Sequence, residues 1–292
     1  MKDDQHPVSP VDRGLGVVAG LVAAYYVVLI VQWWLGNFIG MVSFSVAMPL
    51  AAGIGSYMRL KRPPLVASKS TDSRSSSPLF FRILAVLSIG LNAWCYLSGE
   101  LFVGAVGLWF ASTAVVGLVF SQKIGKRVFL PMLALVFTAP LGMGYPARIE
   151  MTLQLISASL AEVWLHIFQV PVTREGILLM TPKFWNTVND TCSGVGTIST
   201  LVIYSIMFGI ILRLSERSVW IAALVTIPLG LFVNGGRIAW ISMLGEEGGS
   251  DLAMGPMHDI SGTISFLTGY AFILGCLLLF RRRAIRQLRV AS

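Results

Sequence analysis

The chain has 292 residues, 55% of them hydrophobic and only 12% charged, with a mean hydropathy of +0.76, which excludes a soluble globular domain of ordinary composition. Its 22 Lys and Arg against 14 Asp and Glu give a net charge of +8; in a chain this apolar, cations gathered on one side report membrane topology rather than nucleic-acid binding.

A helix needs about 20 apolar residues to cross a hydrocarbon core of roughly 30 Å. In chain order such runs fall near 15–35, 38–58, 79–98, 101–121, 128–145, 194–212, 219–240 and 260–280. The fifth is short and carries Pro131 and Pro140, which membrane helices tolerate. The prediction is an all-α, polytopic helical bundle of about eight spans. Residues 1–13 are polar and mixed in charge, and Leu15–Leu35 is too long for the apolar region of a signal peptide, so the first span is expected to stay in the membrane.

Arg59, Lys61, Arg62, Lys69, Arg74 and Arg82 crowd the segment after the second span, whose Ser/Pro-rich middle, Ser68 to Pro78, reads as a linker. Lys123, Lys126 and Arg127 follow the fourth span, Arg213 and Arg217 the sixth, and Arg281, Arg282, Arg283, Arg286 and Arg289 the eighth. Sixteen of the 22 cations thus fall on one side, and the connection 241–259 on the other side has Glu246, Glu247, Asp251 and Asp259 with no Lys or Arg. Eight spans with both termini cytoplasmic satisfy every loop. The chain, 1–292, reads as one membrane-embedded domain: a four-span region over 1–127, a core over 128–280 and a basic tail over 281–292.

Residues 146–193 form the one extended stretch expected outside the membrane. Ile149, Leu153, Ile156, Leu160, Val163 and Ile167 recur at alternating spacings of four and three, opposite Glu150, Gln154, Ser157, Glu162, His166 and Gln169, which predicts an amphipathic helix. It either lies on the outer leaflet, covers the mouth of the bundle or simply packs on it. The β-branched residues on either side of Glu175-Gly176 then predict a short hairpin or extended pair, and an edge of that kind can accept a peptide by strand addition.

Three residues carry the candidate chemistry. Cys95 and Cys276 lie in apolar runs, where a thiol is a small hydrophobe, but Cys192 stands in the polar Asn189-Asp-Thr-Cys-Ser-Gly194. It is expected on the first turn of the sixth span, where unpaired N–H groups favour an anion, with Ser193, Gly194 and Gly196 allowing close approach of another chain. Arg237 sits in Pro228-Leu-Gly-Leu-Phe-Val-Asn234-Gly-Gly-Arg237; an intramembrane guanidinium is costly and therefore a functional pointer, although snorkelling to the headgroups is the plain alternative. Asn234 shares its face by i, i+3 spacing. His258 heads the last span, whereas His6 and His166 read as ordinary surface residues. The topology puts Cys192, Arg237 and His258 at one depth.

A cysteine nucleophile needs its thiolate, a proton carrier and donors for the charge that grows on a carbonyl oxygen in acyl transfer, and these three residues supply them. A metal site fits less well: one Cys and one His are too few ligands for a closed zinc site and arginine repels a cation, although Asp190 and Asp259 could add oxygens. No cofactor is implied.

This constellation resembles the exosortase/archaeosortase family of polytopic transpeptidase-like enzymes, in its bacterial exosortase branch. The resemblance rests on Cys192-Ser193-Gly194 at a span start, on Pro228, Asn234 and Arg237, and on His258 at the head of the last span. The approach Pro171-Val-Thr-Arg174-Glu-Gly176, Pro140 and the acidic Asp190 two residues before the cysteine also fit; coverage is strongest from Phe129 to Phe280. It implies an inner-membrane cysteine peptidase or transpeptidase with Cys192 as nucleophile, Arg237 stabilising the thiolate or oxyanion and His258 moving the proton, with Asp190, Ser193, Gly194, Asn234 and Arg174 in support. Its partners would be exported proteins carrying a C-terminal sorting tail: a motif such as Pro-Glu-Pro, one transmembrane helix and a basic cluster. The implied role is protein sorting linked to extracellular polysaccharide or surface attachment, with the site on the periplasmic face. Rival readings are a transporter that binds an anionic solute on Arg237, and a membrane scaffold without chemistry.

Overall fold

The computed structural model of the protein describes residues 9–36, 42–62, 64–65, 78–138, 147–189 and 192–291. Among the described residues, five helical stretches are long and apolar enough to cross a membrane: Pro10–Val31, Pro78–Ser98, Leu101–Phe120, Glu216–Met254 and Pro256–Gln287; the apolar helix Val195–Ile211 is shorter. The chain is a multi-pass, helical membrane protein. It divides into two compact units, Met1–Tyr145 with Gly209–Glu216 and Ala284–Ser292, and Pro146–Phe208 with Arg217–Arg283.

The first unit holds α1 (Pro10–Gly36), α2 (Val42–Lys61), α3 (Pro78–Ser98), α4 (Leu101–Val115) and α5 (Gln122–Met132). Pro10 occupies the first turn of α1, where a missing N–H costs nothing, and Ser9 caps it by accepting the Asp12 N–H at 3.1 Å. Asp12 in turn pairs with Arg82 of α3 through two hydrogen bonds. The α4 helix ends in a π-helical turn, Val116–Phe120, and α5 tightens into a 3₁₀ segment, Leu133–Thr138. The fifth expected span is therefore described only as far as Thr138; Pro140 and the Ser68–Pro78 linker lie outside the described residues, apart from Pro78 itself. Arg59, 2% exposed, ends α2 by donating to the Leu214 carbonyl at 3.0 Å and facing Glu216 at 3.5 Å.

The second unit holds α6 (Ala147–Ile167), strands β1 (Thr173–Glu175), β2 (Leu178–Met180) and β3 (Trp185–Thr187), α7 (Val195–Ile211), most of α8 (Glu216–Met254) and most of α9 (Pro256–Ala291). The hairpin expected around Glu175-Gly176 forms, with Glu175 opposite Leu178 and a positive φ of 62° at Gly176, the first loop residue, where a type II′ turn needs one. A third antiparallel strand, β3, extends it to the order β1-β2-β3.

The amphipathic helix forms as α6, but with its faces reversed from those of a soluble helix. Gln154, Ser157, Ala158, Ala161 and Leu165 are buried, while Ile149, Ile156, Val163 and Ile167 of the apolar stripe are exposed. Small and polar side chains let helices approach closely, and they take the contact face here. A Cβ on Gly235 of α8 would come within 2.6 Å of Leu160 Cβ, and one on Gly230 within 2.8 Å of the Ile198 side chain, so α6 and α7 both cross α8 against glycine.

The segment 241–259, read from sequence as a connection, is almost wholly helical. The α8 helix runs on to Met254 through a single non-helical residue, Gly249 (φ 73°, ψ −167°), and α9 starts at Pro256. This extension is a platform for the sheet. Asn186 donates to Ser242 Oγ at 3.0 Å, the Lys183 N–H donates to the Glu246 carboxylate at 2.8 Å, and the Phe184 ring lies over Gly245, where a Cβ would come within 2.2 Å of it.

Candidate functional site

The crossing of α6, α7 and α8 at Asn234-Gly235-Gly236 builds the site. Asn234 is 1% exposed, and its side-chain amide donates to the Cys192 carbonyl at 2.8 Å and to Ser157 Oγ at 3.2 Å. Ser157, fully buried on α6, donates in turn to the Ser193 carbonyl at 3.1 Å. Two successive carbonyls of the cysteine loop are thus held by one buried amide and one buried hydroxyl, an arrangement whose loss leaves desolvated acceptors costing about 1–3 kcal/mol each.

Cys192 itself stands three residues before the first residue of α7, not on the first helical turn as expected. Gly194 is the reason: its φ of +88° turns the chain between the cysteine and the helix, and the first helical bond runs from the Ile198 N–H to the Gly194 carbonyl at 2.9 Å. A Cβ there would also meet the Asn234 amide at 3.1 Å. The Cys192 N–H is closed onto the backbone and side-chain oxygens of Asn189, at 2.9 and 3.2 Å. The thiol-bearing residue is half-buried and packs against the cluster that contains Ala158, Leu179, Val188 and Ile238.

One turn along α8 from Asn234, Arg237 Nη2 lies 3.2 Å from His258 Nε2. The Arg237 Nε is buried without a hydrogen-bond partner, and a Cβ on Gly262 of α9 would sit 3.6 Å from the guanidinium. Beside it opens a cleft of about 370 Å³ lined by Arg237, Gly262, Thr263 and Phe266. His258 is fixed in the first turn of α9, its N–H on the Gly255 carbonyl at 2.9 Å and its own carbonyl accepting from Ser261 at 2.6 Å. The guanidinium borders this cleft, and its charge suits a carbonyl oxygen that gains charge there.

Of the residues singled out from sequence, Cys192, Ser193 and Asn234 form one hydrogen-bonded group through Ser157, with Gly194 close against the Asn234 amide, and Arg237 and His258 form another, joined through the turn Asn234–Arg237. Arg174 is engaged elsewhere: from β1 it donates to Glu162 of α6 at 2.7 Å and to the Gly176 carbonyl at 3.0 Å. Asp190 lies outside the described residues. Ser157 was not among the sequence candidates; its place on the small, polar face of α6 was the available signal. Among the described residues no group of three or more His, Cys, Asp or Glu side chains is arranged to hold a metal ion.

A family model described as transmembrane exosortase (Exosortase_EpsH) matches residues 49–275. No curated protein and no solved structure matches the chain.

Proposed function

Since the chain belongs to the transmembrane exosortase family, a family of membrane-embedded peptidases and transpeptidases, we propose that it removes a C-terminal sorting tail from exported proteins by cysteine chemistry. The observation that carries this reading is the single turn of α8 in which Asn234 holds the Cys192 loop and Arg237 holds His258.

In this reading Arg237 turns from His258 Nε2 to the scissile carbonyl, the freed Nε2 takes the proton of the Cys192 thiol, and the sulfur attacks the carbonyl carbon. Arg237 neutralises the oxyanion of the tetrahedral intermediate. The C–N bond then breaks, the proton passes to the departing amine, and the body of the substrate remains on Cys192 as a thioester. Water or an acceptor amine resolves it and restores the thiol. Asn234, Ser157, Ser193 and Gly194 keep the cysteine loop in one conformation, and Arg174 keeps the sheet on α6.

The substrate would be anchored by its own transmembrane helix next to a recognition motif such as Pro-Glu-Pro, with a basic end. Confinement to the bilayer raises its effective concentration and sets the scissile bond at one depth. The termini would be cytoplasmic and the site periplasmic in an inner membrane, with sorting tied to extracellular polysaccharide or surface attachment.

The test is gel mobility of a co-expressed tail-bearing reporter in wild type, Cys192→Ala, Arg237→Ala and Cys276→Ala at matched membrane abundance. The expected result is tail removal in wild type and Cys276→Ala only. Tail removal that persists in Cys192→Ala rejects the covalent mechanism.

A further inference from the structure

The two edges of the sheet differ in chemistry. The β1 strand carries Arg174 and Glu175, its arginine engaged with α6. The β3 strand reads Trp185-Asn186-Thr187, with no charge, no proline and an unbulged pairing to β2. Folded proteins normally blunt an open edge with one of those devices, because its free N–H and C=O groups attract another extended chain.

The ladder fixes which groups face outward. The Thr181 N–H donates to the Phe184 carbonyl at 2.9 Å and the Val188 N–H to the Ile177 carbonyl at 3.0 Å, with Leu179 opposite Asn186 between them. Hydrogen-bonded pairs alternate with non-bonded ones in antiparallel pairing, so Phe184, Asn186 and Val188 turn their main-chain groups to β2, and Trp185 and Thr187 turn theirs to the edge at which no strand pairs among the described residues. Leu179 is fully buried and Asn186 reaches Ser242, which places that face on the helices; Trp185, on the other face, is 70% exposed.

This edge is fixed with respect to the site. Glu246, Ser242 and Gly245 hold it on α8, the helix that carries Asn234 and Arg237. Beyond Val188 the chain passes to Asn189, which binds the Cys192 N–H. Thr187 and Cys192 are five residues apart, a path of at most about 17 Å, the length of a five-residue extended peptide.

We propose that β3 is the docking strand for the substrate: the extended segment just outside the substrate's transmembrane helix adds to the sheet beside β3, pairs with the N–H and C=O of Trp185 and Thr187, and is thereby led to Cys192. The proposal rests on the peptidase reading above. Its occupant is an extended polypeptide because two outward donor–acceptor pairs, about 7 Å apart along a strand, match another extended backbone and neither a helix nor a lipid.

The probe is a reporter protein ending in Pro-Glu-Pro, one transmembrane helix and an Arg-rich end, with single cysteines scanned over eight positions outside that helix. It is co-expressed with the full chain carrying Cys192→Ala, Cys95→Ala, Cys276→Ala and Thr187→Cys, and disulfide crosslinks are formed in the membrane. The expected yield alternates with a period of two residues. Even yields, a helical period or no crosslinks overturn the proposal, whether or not the wild type cuts the tail. Alternation with an uncut tail sinks the peptidase reading and leaves the docking strand standing.

A second measurement uses Thr187→Pro in the otherwise native chain. This removes an N–H that the ladder does not use, so the fold is retained. Tail removal should slow at least tenfold while a small thiol reagent labels Cys192 at the wild-type rate; tail removal at the wild-type rate overturns the proposal.

Discussion

Arg237 Nη2 and His258 Nε2 stand 3.2 Å apart, and the chemistry of the pair admits only one direction for the hydrogen bond. A guanidinium has donors and no acceptor, so the bond runs from Arg237 to the Nε2 lone pair. The same guanidinium keeps Nε toward the interior without a partner. Arg237→Lys should therefore fail despite keeping the charge, because an ammonium lacks the planar fork that addresses two directions at once. We expect a loss of about 10²–10³-fold in the rate of tail removal for Arg237→Lys, of the size found for removal of an oxyanion donor. Quantitative immunoblotting of the cleaved reporter over time checks it.

Asn234→Ala takes the donor from the Cys192 carbonyl and from Ser157 together, whereas Ser157→Ala leaves the Asn234 to Cys192 bond in place. Each strips one carbonyl of the cysteine loop of its donor and should lower stability by about 1–3 kcal/mol. Both should reduce turnover more than substrate affinity, since the cysteine loop is what they position. Thermal unfolding in detergent, read beside turnover at saturating reporter, separates the two effects; a stability loss with turnover unchanged would show that these contacts do not position the cysteine.

These contacts also show how far the sequence could be read. The hydropathy of 15–35, 79–98, 101–121, 219–240 and 260–280 marks helices because about 20 consecutive apolar residues have few other solutions in a chain of this composition. Cys192, Arg237 and His258 were legible as polar exceptions within or beside those runs. Ser157 was not: periodicity identifies two faces of α6 but does not say which of them packs on the neighbouring helices. The third strand escaped because Trp185-Asn186-Thr187 is three residues long and is specified by its partners Leu178–Met180, not by its own pattern.

Gly245→Ala introduces a Cβ 2.2 Å from the Phe184 ring, which must shift. The sheet should loosen from α8 while the spans stay folded. Limited proteolysis of intact membranes should then cut within 181–186 at least tenfold faster than in wild type, with total membrane abundance unchanged.

Arg59 gives a prediction remote from the site. Arg59→Ala leaves the buried Leu214 carbonyl without its donor, and Glu216→Gln removes only a 39% exposed ionic partner that solvent already screens. The arginine variant should unfold at a temperature several degrees lower, by about 1–3 kcal/mol, and the glutamine variant should be close to wild type in the same melt.

The long α8 has one more consequence. From Asn234 to Glu246 it runs without a break, twelve residues or about 18 Å of rigid rod, with the cysteine loop fastened at one end and the sheet seated along it from Ile238 to Glu246. Such a rod is a ruler. Three or four residues inserted between Arg237 and Ser242 would lengthen it by about 5 Å, the length of one or two residues of extended peptide, and so should move the cut by that many residues along the tail; the mass of the released reporter would give the new position directly.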